Sequence, residues 1–245
     1  MKVLSYIKRK LKGGRLHMTL LDPEKGKFYD LTRLAETASN LGTDAIMIGG
    51  STGVSQGILD ADVKEVKART TLPVILFPAS SSTLSPYADA IYFMSLLNSR
   101  NVKHVVREQY MASRAIKNMG LETIAMGYVV VDPGMKVGEV GEADLVSRNR
   151  PDEAARYALT AEYFGMDLFY LEAGSGAPHP VPGEMIQAVK RESRLPLVVG
   201  GGIRSYEAAK EVVEAGADIV VTGTVVERAN GREALKAVID AVKGR

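Results

Sequence analysis

The chain has 245 residues, 46% of them hydrophobic and 24% charged, and its 31 Lys+Arg against 29 Asp+Glu leave a net charge of +2. That balance excludes a disordered polyelectrolyte and argues against a nucleic-acid binder, since no basic run is interleaved with stacking aromatics. The absence of cysteine rules out a disulfide framework and thiolate metal sites.

In chain order the first predicted element is a helix from Ser5 to Lys12, with Lys8-Arg9-Lys10 as a solvated face. Apolar, β-branched-rich runs then recur at Leu16 to Leu21, Ala45 to Ile48, Val74 to Phe77, Ala90 to Met94, Thr123 to Val131, Leu168 to Leu171, Leu197 to Val199 and Ile219 to Thr222. They lack strict alternation, as parallel strands covered on both faces should. The amphipathic stretches between them are expected to supply crossover helices. A faint repeat supports the count: Leu41-Gly42-Thr43-Asp44, Phe164-Gly165-Met166-Asp167 and Ala215-Gly216-Ala217-Asp218 each read as a helix stop followed by an Asp opening a strand. These carboxylates, with Asp89, are expected to be structural. Pro73 and Pro196 stand just before strands three and seven, where a missing N–H is tolerated.

The pattern predicts an α/β fold, a single (β/α)8 TIM barrel over residues 1–245 with an added N-terminal helix. An open doubly wound sheet is the alternative, but the even spacing gives no reason to leave the eighth unit unpaired with the first. No apolar run reaches the roughly 18 residues needed to cross a bilayer, and Met1-Lys2-Val3-Leu4 opens no signal peptide, so cytoplasmic residence is expected. Any lipid must then be met at a pocket or a surface.

In such a barrel the site collects at the C-terminal strand ends. Three glycine-rich turns follow strands six to eight: Tyr170-Leu171-Glu172-Ala173-Gly174-Ser175-Gly176, Gly200-Gly201-Gly202 and Gly223-Thr224. Glycine lets backbone N–H groups approach a phosphate closely. One such turn is ordinarily a tight connection; three in succession at these positions point to a phosphate grip. Glu172 is placed to hydrogen-bond a hydroxyl or take its proton, or else to sit in a buried ion pair. Asp22 after strand one and Ser51 after strand two offer hard oxygen ligands for Mg²⁺, which commonly keeps water and substrate phosphate in its shell. Equally, Asp22 caps a turn before Pro23. His17 is expected to be a satisfied barrel residue, His104 belongs to a helix and His179 to a loop. No Walker A, no dinucleotide fingerprint and no Gly-x-Ser-x-Gly is present.

Together, His17 to Lys25, Ile48-Gly49-Gly50-Ser51, Leu76-Phe77-Pro78, Tyr170 to Gly176, Val199 to Ile203 and Thr222-Gly223-Thr224 resemble the geranylgeranylglyceryl phosphate synthase family, essentially end to end. The resemblance implies a prenyltransferase that joins the C3 hydroxyl of sn-glycerol 1-phosphate to geranylgeranyl diphosphate, in archaeal ether-lipid synthesis. It implies that Tyr170 to Gly176, Gly201, Gly202, Gly223 and Thr224 hold glycerol phosphate, with Glu172 and Asp22 catalytic. Mg²⁺ would sit on Asp22 and Ser51, and the protein would be a homo-oligomer, a dimer or larger. Thr224 stands where other family members carry Asn. Apolar side chains including Phe77, Tyr92 and Phe93 are expected to begin the prenyl groove, and bacterial relatives that prefer longer chains share the phosphate motifs. Two other readings compete: a sugar-phosphate isomerase using Asp22 and Asp132 across the barrel mouth, and a non-catalytic phosphometabolite-binding barrel.

Overall fold

Among the described residues, parallel strands close in chain order into a barrel: β1 (Leu16–Leu21), β2 (Ala45–Gly49), β3 (Val74–Phe77), β4 (Ala90–Leu96), β5 (Glu122–Val130), β6 (Leu168–Glu172), β7 (Leu197–Gly200) and β8 (Ile219–Thr222). This is a computed structural model, and it describes residues 2–23, 30–49, 56–223, 225 and 230–245. Met18 of β1 pairs with Ala45 on one side and Val221 on the other, so the sheet has no edge and the open-sheet alternative is excluded. Met18, Met47, Tyr92, Met126, Tyr170 and Val221 alternate into one buried cluster that fills the barrel. Their neighbours Ile48, Leu76, Phe169, Leu171 and Val220 face the helices instead. Burial on both faces is why the strands read as continuous apolar runs.

The helices are α1 (Val3–Leu11), α2 (Leu31–Leu41), α3 (Gln56–Arg69), α4 (Glu108–Met119), α5 (Met135–Val140), α6 (Pro151–Tyr163), α7 (Gly183–Glu192), α8 (Tyr206–Glu214) and α9 (Gly231–Lys243). A π-helical turn, Lys103–Arg107, leads into α4. At the barrel's base Glu122 accepts the free N–H groups of Val3 at 2.6 Å and Leu4 at 3.0 Å, capping α1 from another element. Val3 and Ile7 then pack into the barrel cluster.

One expectation fails. Residues 78–89, between β3 and β4, carry no helix. The segment holds Pro78, Pro86 and the run Ser80-Ser81-Ser82, residues whose side chains and fixed φ favour turns over a helical period. The barrel wall is therefore thinner here, and a cavity opens on this side.

The opening carboxylates are structural, as expected. Asp44, Asp89, Asp167 and Asp218 accept N–H groups of His17 (2.9 Å), Val74 (2.9 Å), Ala125 (3.1 Å) and Leu197 (2.8 Å), each on the preceding strand. Each also meets a cation, Asp218 meeting both Arg15 at 3.0 Å and Lys190 at 2.6 Å.

His17 is fully buried, with Nδ1 2.9 Å from Thr43 Oγ1 and Nε2 2.9 Å from Thr222 Oγ1. Burial pushes its pKa down to about 3, against the smaller opposing pull of Asp44. The unfolded chain therefore binds a proton near pH 6.5 that the folded chain refuses, and stability is lost as pH falls from there towards the folded value. We expect about 1.4 kcal/mol lost per pH unit below about pH 6 from this group. Urea midpoints measured against pH should show a shallower acid loss for His17→Gln than for the unaltered chain; parallel curves would exclude His17 as the source.

Candidate active site

The strand period decides what faces the site. Leu168 and Tyr170 point into the barrel and Phe169 and Leu171 towards the helices, so Glu172, two residues on, closes β6 on the barrel side. Glu172 is 8% exposed, and its Oε1 accepts the Gly174 N–H at 2.7 Å. The hydroxyls of Tyr170 and Tyr128 face the same carboxylate. Burial raises the Glu172 pKa above the usual carboxylate value, and these three donors oppose that rise. Burial, with Glu172 beside them, keeps the Tyr128 and Tyr170 hydroxyls protonated.

The glycines beside this carboxylate are required by space. A Cβ on Gly200 would stand 2.1 Å from the Tyr170 hydroxyl, and one on Gly201, whose φ is +82°, would stand 2.5 Å from Glu172 Oε1 and 2.6 Å from the Gly174 nitrogen. The β6 and β7 turns thus interlock around Glu172. Arg204 holds them together by donating to the Ala177 carbonyl at 2.5 Å. Within the described residues no hydrogen bond uses the N–H groups of Ser175, Gly176, Gly201 or Gly202, which leaves them for water or for a ligand's oxygens. Ala173 is buried and its N–H is spent on the Gly200 carbonyl at 3.1 Å, so Ala173 and Leu171 serve as packing rather than contact. Gly223 follows β8 and is partly exposed.

A cavity of about 510 Å³ begins at Asp22, Tyr128, Lys136 and Ser175. It runs between the helix-free segment at Pro78 to Ser81 and the inner side of α4, ending among Leu84, Ile91, Ala112 and Ile116. Phe77, Tyr92 and Phe93 line it as expected. Phe77 sits edge-on to Tyr92 at 6.2 Å and Tyr128 at 5.8 Å between ring centres. The lining is mostly apolar, with Asp22, Lys136 and Ser175 joined by His104, Glu108 and Gln109 as its polar groups, and its size is that of an ordinary ligand pocket.

Of the two proposed Mg²⁺ ligands, Asp22 lines the cavity mouth, while Ser51 lies outside the described residues, as does Thr224. Among the described residues no group of three acidic or His side chains gathers as a metal site. One carboxylate on the cavity wall fits a Mg²⁺ ion that takes most of its ligands from water and substrate. Asp132 is exposed, does not line the cavity, and does not join Asp22 as the isomerase reading needs.

The sequence reading missed Tyr128, which shares Glu172 with Tyr170, and also His104, Glu108 and Gln109 on the cavity wall. The signal for Tyr128 was its place near the end of β5, but only the pairing of Tyr128 with Tyr170 sets it beside Glu172.

Fold and site together define a TIM-barrel enzyme with its working groups at the C-terminal strand ends. The chain belongs to the PcrB family, whose model matches residues 7–242. It is 51% identical over 246 residues to the geranylgeranylglyceryl phosphate synthase of Thermococcus sibiricus, covering 99% of this chain and 96% of that one. It is 48% identical to the protein of the same name from Thermoplasma acidophilum, again over 99% and 96%. The crystal structure of (S)-3-O-geranylgeranylglyceryl phosphate synthase from Thermoplasma acidophilum in complex with substrate sn-glycerol-1-phosphate matches with a TM-score of 0.95, at 47% identity and over 100% of both chains. The tryptophan synthase alpha chain of Legionella pneumophila, at 17% identity and a TM-score of 0.65, shares the fold alone.

Proposed function

We infer that this enzyme is a prenyltransferase forming the ether bond between the C3 hydroxyl of sn-glycerol 1-phosphate and geranylgeranyl diphosphate. The observation that carries the reading is one cavity lined by Asp22, Tyr128 and Ser175 together with many apolar side chains. It offers one space for a charged head and a hydrocarbon tail. Family membership favours it over the isomerase and the non-catalytic barrel.

The N–H groups of Ser175, Gly176, Gly201 and Gly202 would bind the glycerol phosphate, joined by Gly223 and Thr224. Tyr170 and Tyr128 hold the Glu172 carboxylate where a hydroxyl of that substrate would lie. The C3 oxygen attacks prenyl C1, the bond from C1 to the diphosphate oxygen breaks with its electron pair leaving on diphosphate, and the hydroxyl proton passes to Glu172. Burial raises the basicity of Glu172 and so suits it to accept that proton. The rings of Phe77 and Tyr128 on the cavity wall would favour positive charge building on C1. Mg²⁺ held by Asp22, Ser51 and the diphosphate would neutralise the leaving group. Homo-oligomerisation belongs to the same reading and is read by sedimentation equilibrium.

Diphosphate release tests the reaction: it should require glycerol phosphate and the allylic diphosphate together. Release from the allylic diphosphate alone at the same rate would mark a hydrolase and contradict the proposal. Asp22→Ala, or EDTA with the unaltered enzyme, is expected to slow turnover about a thousandfold, the equivalent of about 4 kcal/mol. Titration calorimetry should find glycerol phosphate affinity little changed in Asp22→Ala. An unslowed variant would remove Asp22 from the metal site.

A further inference from the structure

We propose that the exposed face of the Lys103–Arg107 turn and α4, bearing Val102, Val106 and Tyr110, docks the enzyme on an anionic lipid surface beside the cavity. The proposal rests on the prenyltransferase reading, because it concerns how a C20 diphosphate reaches the site and how its ether product leaves.

Val102, Val106 and Tyr110 follow one another at helical spacing and are 49%, 52% and 75% exposed, with Met111 beside them at 67%. A row of apolar side chains this open marks an interaction surface. The opposite side of the same helix is the cavity wall, through His104, Glu108, Gln109, Ala112 and Ile116. One helix separates the apolar interior from this face. At the near end, Arg100 N–H donates to the Glu142 carbonyl at 3.0 Å and Ser99 Oγ to the Gly141 carbonyl at 2.6 Å. These bonds, with Asn101 Nδ2 donating to Glu142 Oε1 at 2.6 Å, tie the segment before Val102 to the end of α5, where Val140 is 52% exposed and lines the cavity.

Charge chooses the occupant. From residue 100 to 119 the chain carries Arg100, Lys103, Arg107, Arg114 and Lys117 against the single acid Glu108. Glu108 is occupied by the Ser81 N–H at 2.6 Å and by Lys103 at 3.6 Å. Basic side chains interleaved with Val, Met and Tyr are the composition of a helix lying in an anionic lipid interface, and Tyr suits the headgroup level. A two-fold contact between copies of this face would set the same cations opposite each other. Among the described residues no helix is long and apolar enough to cross a membrane, so attachment would be at the surface.

The test is co-sedimentation of the full chain, without substrate, with vesicles of phosphatidylglycerol and phosphatidylcholine in about equal parts, or of phosphatidylcholine alone. Binding is expected to the anionic vesicles and to fall with added salt. It should weaken at least about tenfold in Val106→Ser/Tyr110→Ser and in Arg107→Glu/Arg114→Glu. Neither pair lines the cavity, so both variants should turn over detergent-dispersed substrates as the unaltered enzyme does. Failure of that turnover in all forms would count against the prenyltransferase reading and leave vesicle binding to be judged separately. Three results would overturn the proposal: no binding to anionic vesicles, binding indifferent to both pairs, or sedimentation velocity showing that either variant splits an oligomer held together by this face.

Discussion

Replacing Glu172 by Gln is expected to lower kcat about 10²- to 10⁴-fold, the usual worth of a positioned base. Gln still offers an amide oxygen to the Gly174 N–H, so the β6 turn keeps its bond and the loss reports proton transfer rather than unfolding. Because burial raises the Glu172 pKa, activity in the unaltered enzyme should rise with pH through a midpoint above the usual carboxylate value. Glu172→Gln should lack that limb. Steady-state rates across pH check both points, and a variant retaining more than about a tenth of the turnover would reduce Glu172 to a role in orientation.

Gly201→Ala is expected to lower kcat/KM about a hundredfold, since displacing a binding group by about an ångström can cost that much. The added methyl would stand 2.5 Å from Glu172 Oε1 and 2.6 Å from the Gly174 nitrogen, and the φ of +82° disfavours any side chain. Neither neighbour can yield without moving the carboxylate or the turn that carries the Ser175 and Gly176 N–H groups. Gly183→Ala provides the control, because its methyl would meet only the Ala215 Cβ, at an ordinary 3.5 Å. Kinetics on both variants, with circular dichroism to confirm folding, separate a damaged site from a general loss of structure. Equal kinetics in the two would contradict the interlocked turns.

The barrel was legible because parallel strands buried on both faces leave unbroken apolar runs. β1, β3 and β8 have the bounds read from sequence, while β4 runs on to Leu96 and β6 to Glu172, where polar residues hid the continuing ladder. The expected helix between β3 and β4 is absent because a missing element leaves no positive mark, only Pro and Ser where a helical period should stand. Glu172 was legible from the turn that follows it. Tyr128 was not, since its meeting with Tyr170 depends on the register of β5 against β6. His104 read as an ordinary helix residue, and Glu108 and Gln109 carry no motif that marks them. Their place on the cavity wall depends on how the π-helical turn phases α4, which propensity does not encode. Ser51 and Thr224, the proposed second metal ligand and last phosphate contact, lie outside the described residues.

The most direct measurement incubates the purified enzyme with sn-glycerol 1-phosphate and geranylgeranyl diphosphate, with Mg²⁺ or with EDTA, and follows the ether-linked product by mass spectrometry. Metal-dependent formation of geranylgeranylglyceryl phosphate is the expected result. No ether product from this donor, nor from shorter or longer prenyl diphosphates, would contradict the account.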